Sequence, residues 1–277
     1  MEIFITSPKV LLCMTFADNL FKNKVAIVTG GGTGIGKSIA LSLGKLGANM
    51  VIASRKQENV EAGAKEIRQT GAKCLPIQAD LRNIDDVKKM VNAAVNEYGK
   101  IDFLVNNAGG QFLAPIEKIS PNGFDAVVKT NLYNTFYCCK EAGEHMKKQN
   151  YGKIVNIVTI YALKAGPGMV HSGAARSGVV NLTKSLALEW AKYNIRVNAI
   201  APGFVDTGGF KDELLQKKDV LEHVKSTVPL KRFATAQEIA DSALYLLSPS
   251  GDYITGHALV IDGGALLGNW PDFASLI

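Results

Sequence analysis

Residues 29–36 read TGGGTGIG, directly after the apolar run VAIV (25–28) and at the start of a helix-like segment. No other feature restricts the fold as tightly. Gly30, Gly34 and Gly36, spaced TGxxxGxG, let a buried strand turn sharply and let the backbone come close to a ligand. The helix that begins there offers unpaired N–H groups and the positive end of its dipole, which suit a pyrophosphate. Thr33 and Ile35, which flank Gly34, are expected to contact the nucleotide alongside the glycines. A glycine-rich turn alone is weak evidence. A buried strand before it and an amphipathic helix after it make a nucleotide site the expectation.

The rest of the chain repeats the alternation. Short apolar runs lie at 25–28, 50–53, 73–77, 101–105, 154–158, 195–200 and 258–261, with longer helix-like stretches between them. Most runs are nearly continuous in apolar residues, as expected of strands covered on both faces. Strand alternating with helix predicts right-handed crossovers and one doubly wound, Rossmann-type sheet of seven parallel strands. Residues 21–277 are therefore expected to form one α/β domain, with no internal repeat or Pro/Gly-rich linker. Residues 1–20 read as an extension. The run Val10–Met14 is too short to span a bilayer, and no basic stretch precedes it. A second methionine, Met14, implies a natural start that would leave 1–13 as a poorly ordered or non-native segment.

Composition narrows the classes of function. The chain of 277 residues is 47% hydrophobic and 20% charged, enough for a substantial core. Its net charge of +6 is spread along the sequence, which suits a solvated surface or an anionic ligand. No basic stripe interleaved with aromatics speaks for nucleic acid. Cys13, Cys74, Cys138 and Cys139 form no CxxC pair, which fits a reducing cytoplasm, and four scattered histidines show no metal-ligand spacing. The second predicted strand ends VIASRKQEN. A carboxylate there would favour NAD; Ser54, Arg55 and Lys56 stand in its place. Arg55 can grip a 2′-phosphate through its planar fork, which points to NADP(H). The bland alternative is a solvated surface pair.

These residues resemble the short-chain dehydrogenase/reductase family over about Lys24–Gly264. The landmarks are TGGGTGIG at 29–36, Asp80 in "AD", NNAG at 106–109, Asn131 in NLYNTF, APGFVDT at 201–207 and ITGHALVIDGG at 254–264. The resemblance implies that Asp80 and Leu81 flank the adenine and that Asn107, Ala108 and Gly109 line the nucleotide cleft. It places Pro202, Gly203 and Thr207 beside the nicotinamide, Asn131 at a bound water of a proton relay, and a substrate lid at about 204–233. It also implies a homo-oligomer, a tetramer, with the predicted helices 120–147 and 171–192 packing on copies of themselves.

The family's catalytic serine, tyrosine and lysine fall on Thr159, Ser172 and Arg176. Only the first hydroxyl survives. That departure, with HSGAARSGVVNLTKSLALEW and NNAGGQFLAP, resembles the peroxisomal trans-2-enoyl-CoA reductases. The 2,4-dienoyl-CoA reductases share the serine, keep the lysine, and carry a tyrosine eleven residues upstream. Here that is Tyr161. Gln111 stands where the enoyl reductases have glutamine.

Reduction of an unsaturated acyl-CoA by NADPH moves charge onto the thioester oxygen and requires donors in place beforehand. Tyr161 and Gln111 are the expected donors, Tyr161 also the acid, with Thr159 or Ser172 holding the thioester or orienting the tyrosine. Arg176 would bind ribose hydroxyls and, as a fixed cation, favour the enolate. His171 reads as structural. The alternatives are a carbonyl/alcohol dehydrogenase acting on a 3-oxoacyl, sugar or terpenoid substrate, and a non-catalytic nucleotide sensor. The ending FASLI lacks an SKL-type peroxisomal address, so a cytoplasmic location is expected.

Overall fold

A computed structural model describes residues 16–207 and 218–268. All seven predicted strands form: β1 (Val25–Thr29), β2 (Asn49–Ser54), β3 (Cys74–Gln78), β4 (Phe103–Asn106), β5 (Gly152–Ile157), β6 (Ile195–Pro202) and, last in the chain, β9 (Ala258–Ile261). They pair in parallel in the order β3-β2-β1-β4-β5-β6-β9. Two short strands not expected from the sequence, β7 (Val205–Asp206) and β8 (Ala234–Thr235), form a separate parallel pair.

Strand alternation divides the core. Ala26, Val28, Met50 and Ile52 face α1 (Gly34–Lys45) and the helix Ala236–Leu247, against Ile39, Leu43 and Leu244. Ile27, Val51 and Leu104 face the other way, onto Met90 of α3 (Ile84–Tyr98) and Met146 and Trp190 beyond it. All of these are buried, and each such side chain contributes about 1.5–3 kcal/mol. α2 (Gln57–Arg68) links β2 to β3 on the α1 face, and helices on both sides are why one sheet can be apolar on both faces. The edge strand β9 is only partly covered.

The periodic stretch 120–146 is not a uniform helix. α4 (Pro121–Val128), capped by Ser120, passes through a π turn at Lys129–Tyr133 into α5 (Asn134–Gln149). α6 (Val170–Trp190) runs beside it. At the N-terminus Phe16 and Leu20 pack on the core, and Phe21 meets Phe103 edge-on at 5.4 Å. The packed domain thus includes residues ahead of the expected boundary at 21. Residues 1–15, with the proposed start at Met14, lie outside the described residues, as do 208–217 of the expected lid. No helix among the described residues is long and apolar enough to cross a membrane.

Candidate active-site cleft

Strand order reverses at β1, whose neighbours β2 and β4 leave in opposite directions, and this opens a crevice at the carboxyl ends of the strands. The loops around it are tied by short polar side chains. Thr29, ending β1, accepts through Oγ1 from the backbone N–H groups of Asn107 (2.9 Å) and Ala108 (3.0 Å). Asn107 returns its amide to the Thr29 carbonyl at 3.0 Å. Its Nδ2 leaves no room for a Cβ on Gly30 or Gly36, and Gly34 has a left-handed φ of +53°. The three glycines of the motif therefore serve close approach and turn geometry.

The crevice has two adjoining halves. One, of about 240 Å³, is lined by Gly30, Thr33 and Ala108 at its floor, and by Ser54, Arg55 and Lys56 at one end. Asp80 and Leu81 form its opposite wall. Among the described residues Arg55 pairs with no carboxylate, and Lys56 reaches Glu58 only at 4.0 Å. Two cations without close partners and a backbone cradle that tolerates no side chain fit a phosphorylated dinucleotide. The sequence reading missed Asn59 and Arg82, which also line this half. Arg82 clasps Asp80 with Nε–Oδ1 at 2.9 Å and Nη2–Oδ2 at 2.5 Å, and holds its carboxyl below the ordinary range. The signal was available: an acid and an arginine two apart after a strand.

The second half, about 250 Å³, joins the first at Gly109 and is lined by Ile35, Asn107, Pro202, Gly203 and Thr207 on one side. Gln111, Thr159, Tyr161 and Arg176 line the other. Gly203 abuts the backbone of Asp262, and a Cβ on Gly109 would collide with the Arg176 guanidinium. Arg176 donates to the Ile157 carbonyl at the end of β5, and burial pushes its guanidinium down to about 10, still cationic at neutral pH. Thr159 begins the turn Ile160–Ala162 and accepts from the Tyr161 amide at 3.5 Å. The Tyr161 phenol is half-buried, has no hydrogen-bond partner among the described residues, and is raised in pKa by burial. Its ring also lines a groove of about 370 Å³ formed by residues 161–177.

Two expected catalytic residues line neither half of the crevice. Asn131, in the π turn, is buried. Its amide donates to Gly110 (2.7 Å) and Val127 (2.8 Å), and its oxygen accepts from the Gly110 N–H at 3.2 Å. Thr135 occupies its main-chain carbonyl at 2.8 Å. Asn131 thereby buttresses the loop that carries Gln111. Asn134, unnoticed in the sequence, does the same at Ala108 (2.9 Å). Ser172 is fully buried and donates to Gln111 Oε1 at 2.6 Å. No cluster of metal-ligating side chains occurs among the described residues.

Comparison with known proteins gives this cleft its context. The family model described as "Enoyl-(Acyl carrier protein) reductase" matches residues 30–265. The chain is 39% identical over 252 residues to the peroxisomal 2,4-dienoyl-CoA reductase [(3E)-enoyl-CoA-producing] of Rattus norvegicus, covering 90% of this chain and 86% of that one. A short chain dehydrogenase from Bacillus anthracis superposes with a TM-score of 0.83 at 42% identity, over 91% of this chain and 100% of that one. An NAD+-bound xylitol dehydrogenase superposes with a TM-score of 0.85 at 32% identity, over 88% and 99%. With the glycine motif, the strand order and the switch-point cleft in agreement, this protein belongs to the short-chain dehydrogenase/reductase family of oxidoreductases, which use nicotinamide cofactors.

Proposed function

We propose that the protein is an NADPH-dependent reductase of the carbon–carbon double bond of an unsaturated acyl-CoA, a trans-2-enoyl or 2,4-dienoyl thioester. One observation carries this reading. The hydroxyl of Tyr161 and the Nε2 of Gln111 belong to side chains that line one cavity and have no partner among the described residues, while the family's tyrosine position is a buried serine that holds Gln111 Oε1. A carbonyl reductase needs an acid at the carbonyl oxygen. A double-bond reductase needs donors at a thioester oxygen some atoms from the carbon that receives hydride, and a displaced tyrosine suits the second task. The printed name of the Rattus norvegicus relative supports the substrate class.

The bound nicotinamide would supply the hydride. Gly30, Gly36 and Gly109 would seat the dinucleotide backbone, and Arg55 with Lys56 would take the 2′-phosphate. As charge gathers on the thioester oxygen, Gln111 Nε2 and the Tyr161 hydroxyl would donate to it. The fixed Arg176 cation would lower the energy of that charge. Tyr161 stays protonated at neutral pH because burial disfavours its anion, so it can also give the proton to carbon.

NADPH consumption against crotonyl-CoA, a dienoyl-CoA, acetoacetyl-CoA and a panel of alcohols tests the reading. Turnover is expected on the unsaturated thioesters. Turnover confined to acetoacetyl-CoA or the alcohols would establish the carbonyl/alcohol alternative, which the likeness to xylitol dehydrogenase favours. Turnover on none would leave a nucleotide-binding sensor. We further place the protein in the cytoplasm, as a homotetramer.

A further inference from the structure

α6 opens on Val170, and the next two side chains, His171 and Ser172, have no exposed surface. The Ser172 hydroxyl lies 2.6 Å from Gln111 Oε1. That is an O–H···O length; a neutral N–H donor would stand nearer 2.9 Å. The carboxamide oxygen of Gln111 is thus turned inward onto serine. Its nitrogen is left on the cavity side with no acceptor among the described residues. The neighbouring Phe112 is gripped as well, its ring centroid 4.3 Å from that of His171. Burial lowers the pKa of His171 and the Phe112 backbone works against that shift, so the ring meets this loop at both the side chain and the main chain of Phe112.

We propose that Ser172 is a positioning residue that acts only through Gln111: its hydroxyl fixes the carboxamide so that Nε2 presents N–H to the thioester oxygen, while His171 holds the same loop at Phe112. This rests on the reading of the protein as an acyl-CoA double-bond reductase. The final torsion of glutamine is broad and two-fold. Without serine the carboxamide can present its oxygen to the developing negative charge, an error that costs more than the loss of one bond.

A double-mutant cycle separates this role from direct contact. Crotonyl-CoA turnover and NADPH affinity are measured for wild type, Ser172→Ala, Gln111→Ala and the double variant. Gln111→Ala is expected to lower kcat by about 10²-fold, as loss of one oxyanion donor does, and Ser172→Ala by about 10-fold, as loss of only its orientation. The double variant should match Gln111→Ala, with NADPH affinity unchanged throughout. Ser172→Cys, which keeps a weaker donor, should fall between serine and alanine. Losses that multiply in the double variant, or full turnover in Ser172→Ala, would overturn the proposal. Hydrogen–deuterium exchange of peptide 109–113 is read on the same proteins and needs no turnover. It should rise in Ser172→Ala and to a similar extent in Gln111→Ala, since each removes the same tether, and unchanged exchange in Ser172→Ala also overturns the anchor. A wild-type enzyme inert towards crotonyl-CoA and dienoyl-CoA removes the acyl-CoA reading instead, and the exchange result then decides the anchor alone.

Discussion

Tyr161 and Arg55 are the two side chains whose chemistry can be read most directly in solution. Tyr161→Phe should lower turnover on an unsaturated acyl-CoA by about 10²–10⁴-fold, the usual contribution of a positioned acid. NADPH affinity should not change, because the ring is absent from the half of the cleft lined by Gly30, Arg55 and Asp80. The acid must be protonated to act, and burial raises its pKa above the ordinary value near 10. The rate should therefore hold through neutrality and fall only as pH rises past that value, a limb that Tyr161→Phe abolishes in a pH–kcat profile. Arg55→Asp should weaken NADPH far more than NADH in parallel titrations, since a carboxylate would repel the 2′-phosphate. A wild type that prefers NADH would reverse the assignment.

At the scale of single elements, the π turn is where helix geometry and site geometry meet. One extra residue in the turn lets Asn131 point back at Gly110 while Asn134 reaches Ala108. Asn131→Ala removes both side-chain bonds to the Gly110 main chain, each worth about 0.5–1.5 kcal/mol. It should lower the thermal midpoint and weaken cofactor binding together. α6 carries a second dependence, on pH. Burial lowers the pKa of His171 below its ordinary 6.5, so the unfolded chain binds the proton more readily than the folded one. The stability from this group is present above about pH 6.5 and is lost as pH falls towards the folded value. Thermal melts between pH 7 and pH 5 should show a shallower decline in His171→Leu than in wild type. The helix itself was legible in the spacing of Val179, Leu182, Leu186 and Trp190. The π turn was not, because a one-residue slip barely alters the spacing of apolar side chains over Ser120–Met146.

For the molecule as a whole, the open question is assembly. Leu188 on α6 is 83% exposed, and Tyr133 and Phe136 near the start of α5 are also open to solvent. These exposed apolar side chains lie on the helices expected to pack on copies of themselves. Sedimentation equilibrium at micromolar concentration should give a tetramer, and Leu188→Glu should shift it towards smaller species. A monomeric wild type would exclude the assembly.

What the amino-acid sequence determined alone was everything that rests on local pattern. Short continuous apolar runs alternating with helical stretches point to strands covered on both faces, and glycines at 30, 34 and 36 suit a turn in which backbone and the Asn107 side chain approach closely. The missing tyrosine and lysine were equally plain, because each is a question of which residue stands at a counted distance from another. Only the tertiary structure decided what the replacements do. Ser172 and Gln111 are 61 residues apart, and which of them touches the cleft depends on how α6 packs beside the loop after β4. The same holds for Asn131, whose carboxamide meets Gly110 from 21 residues away. Hydrogen-bond partners across such distances are set by packing to within fractions of an ångström, and no one-dimensional spacing encodes that.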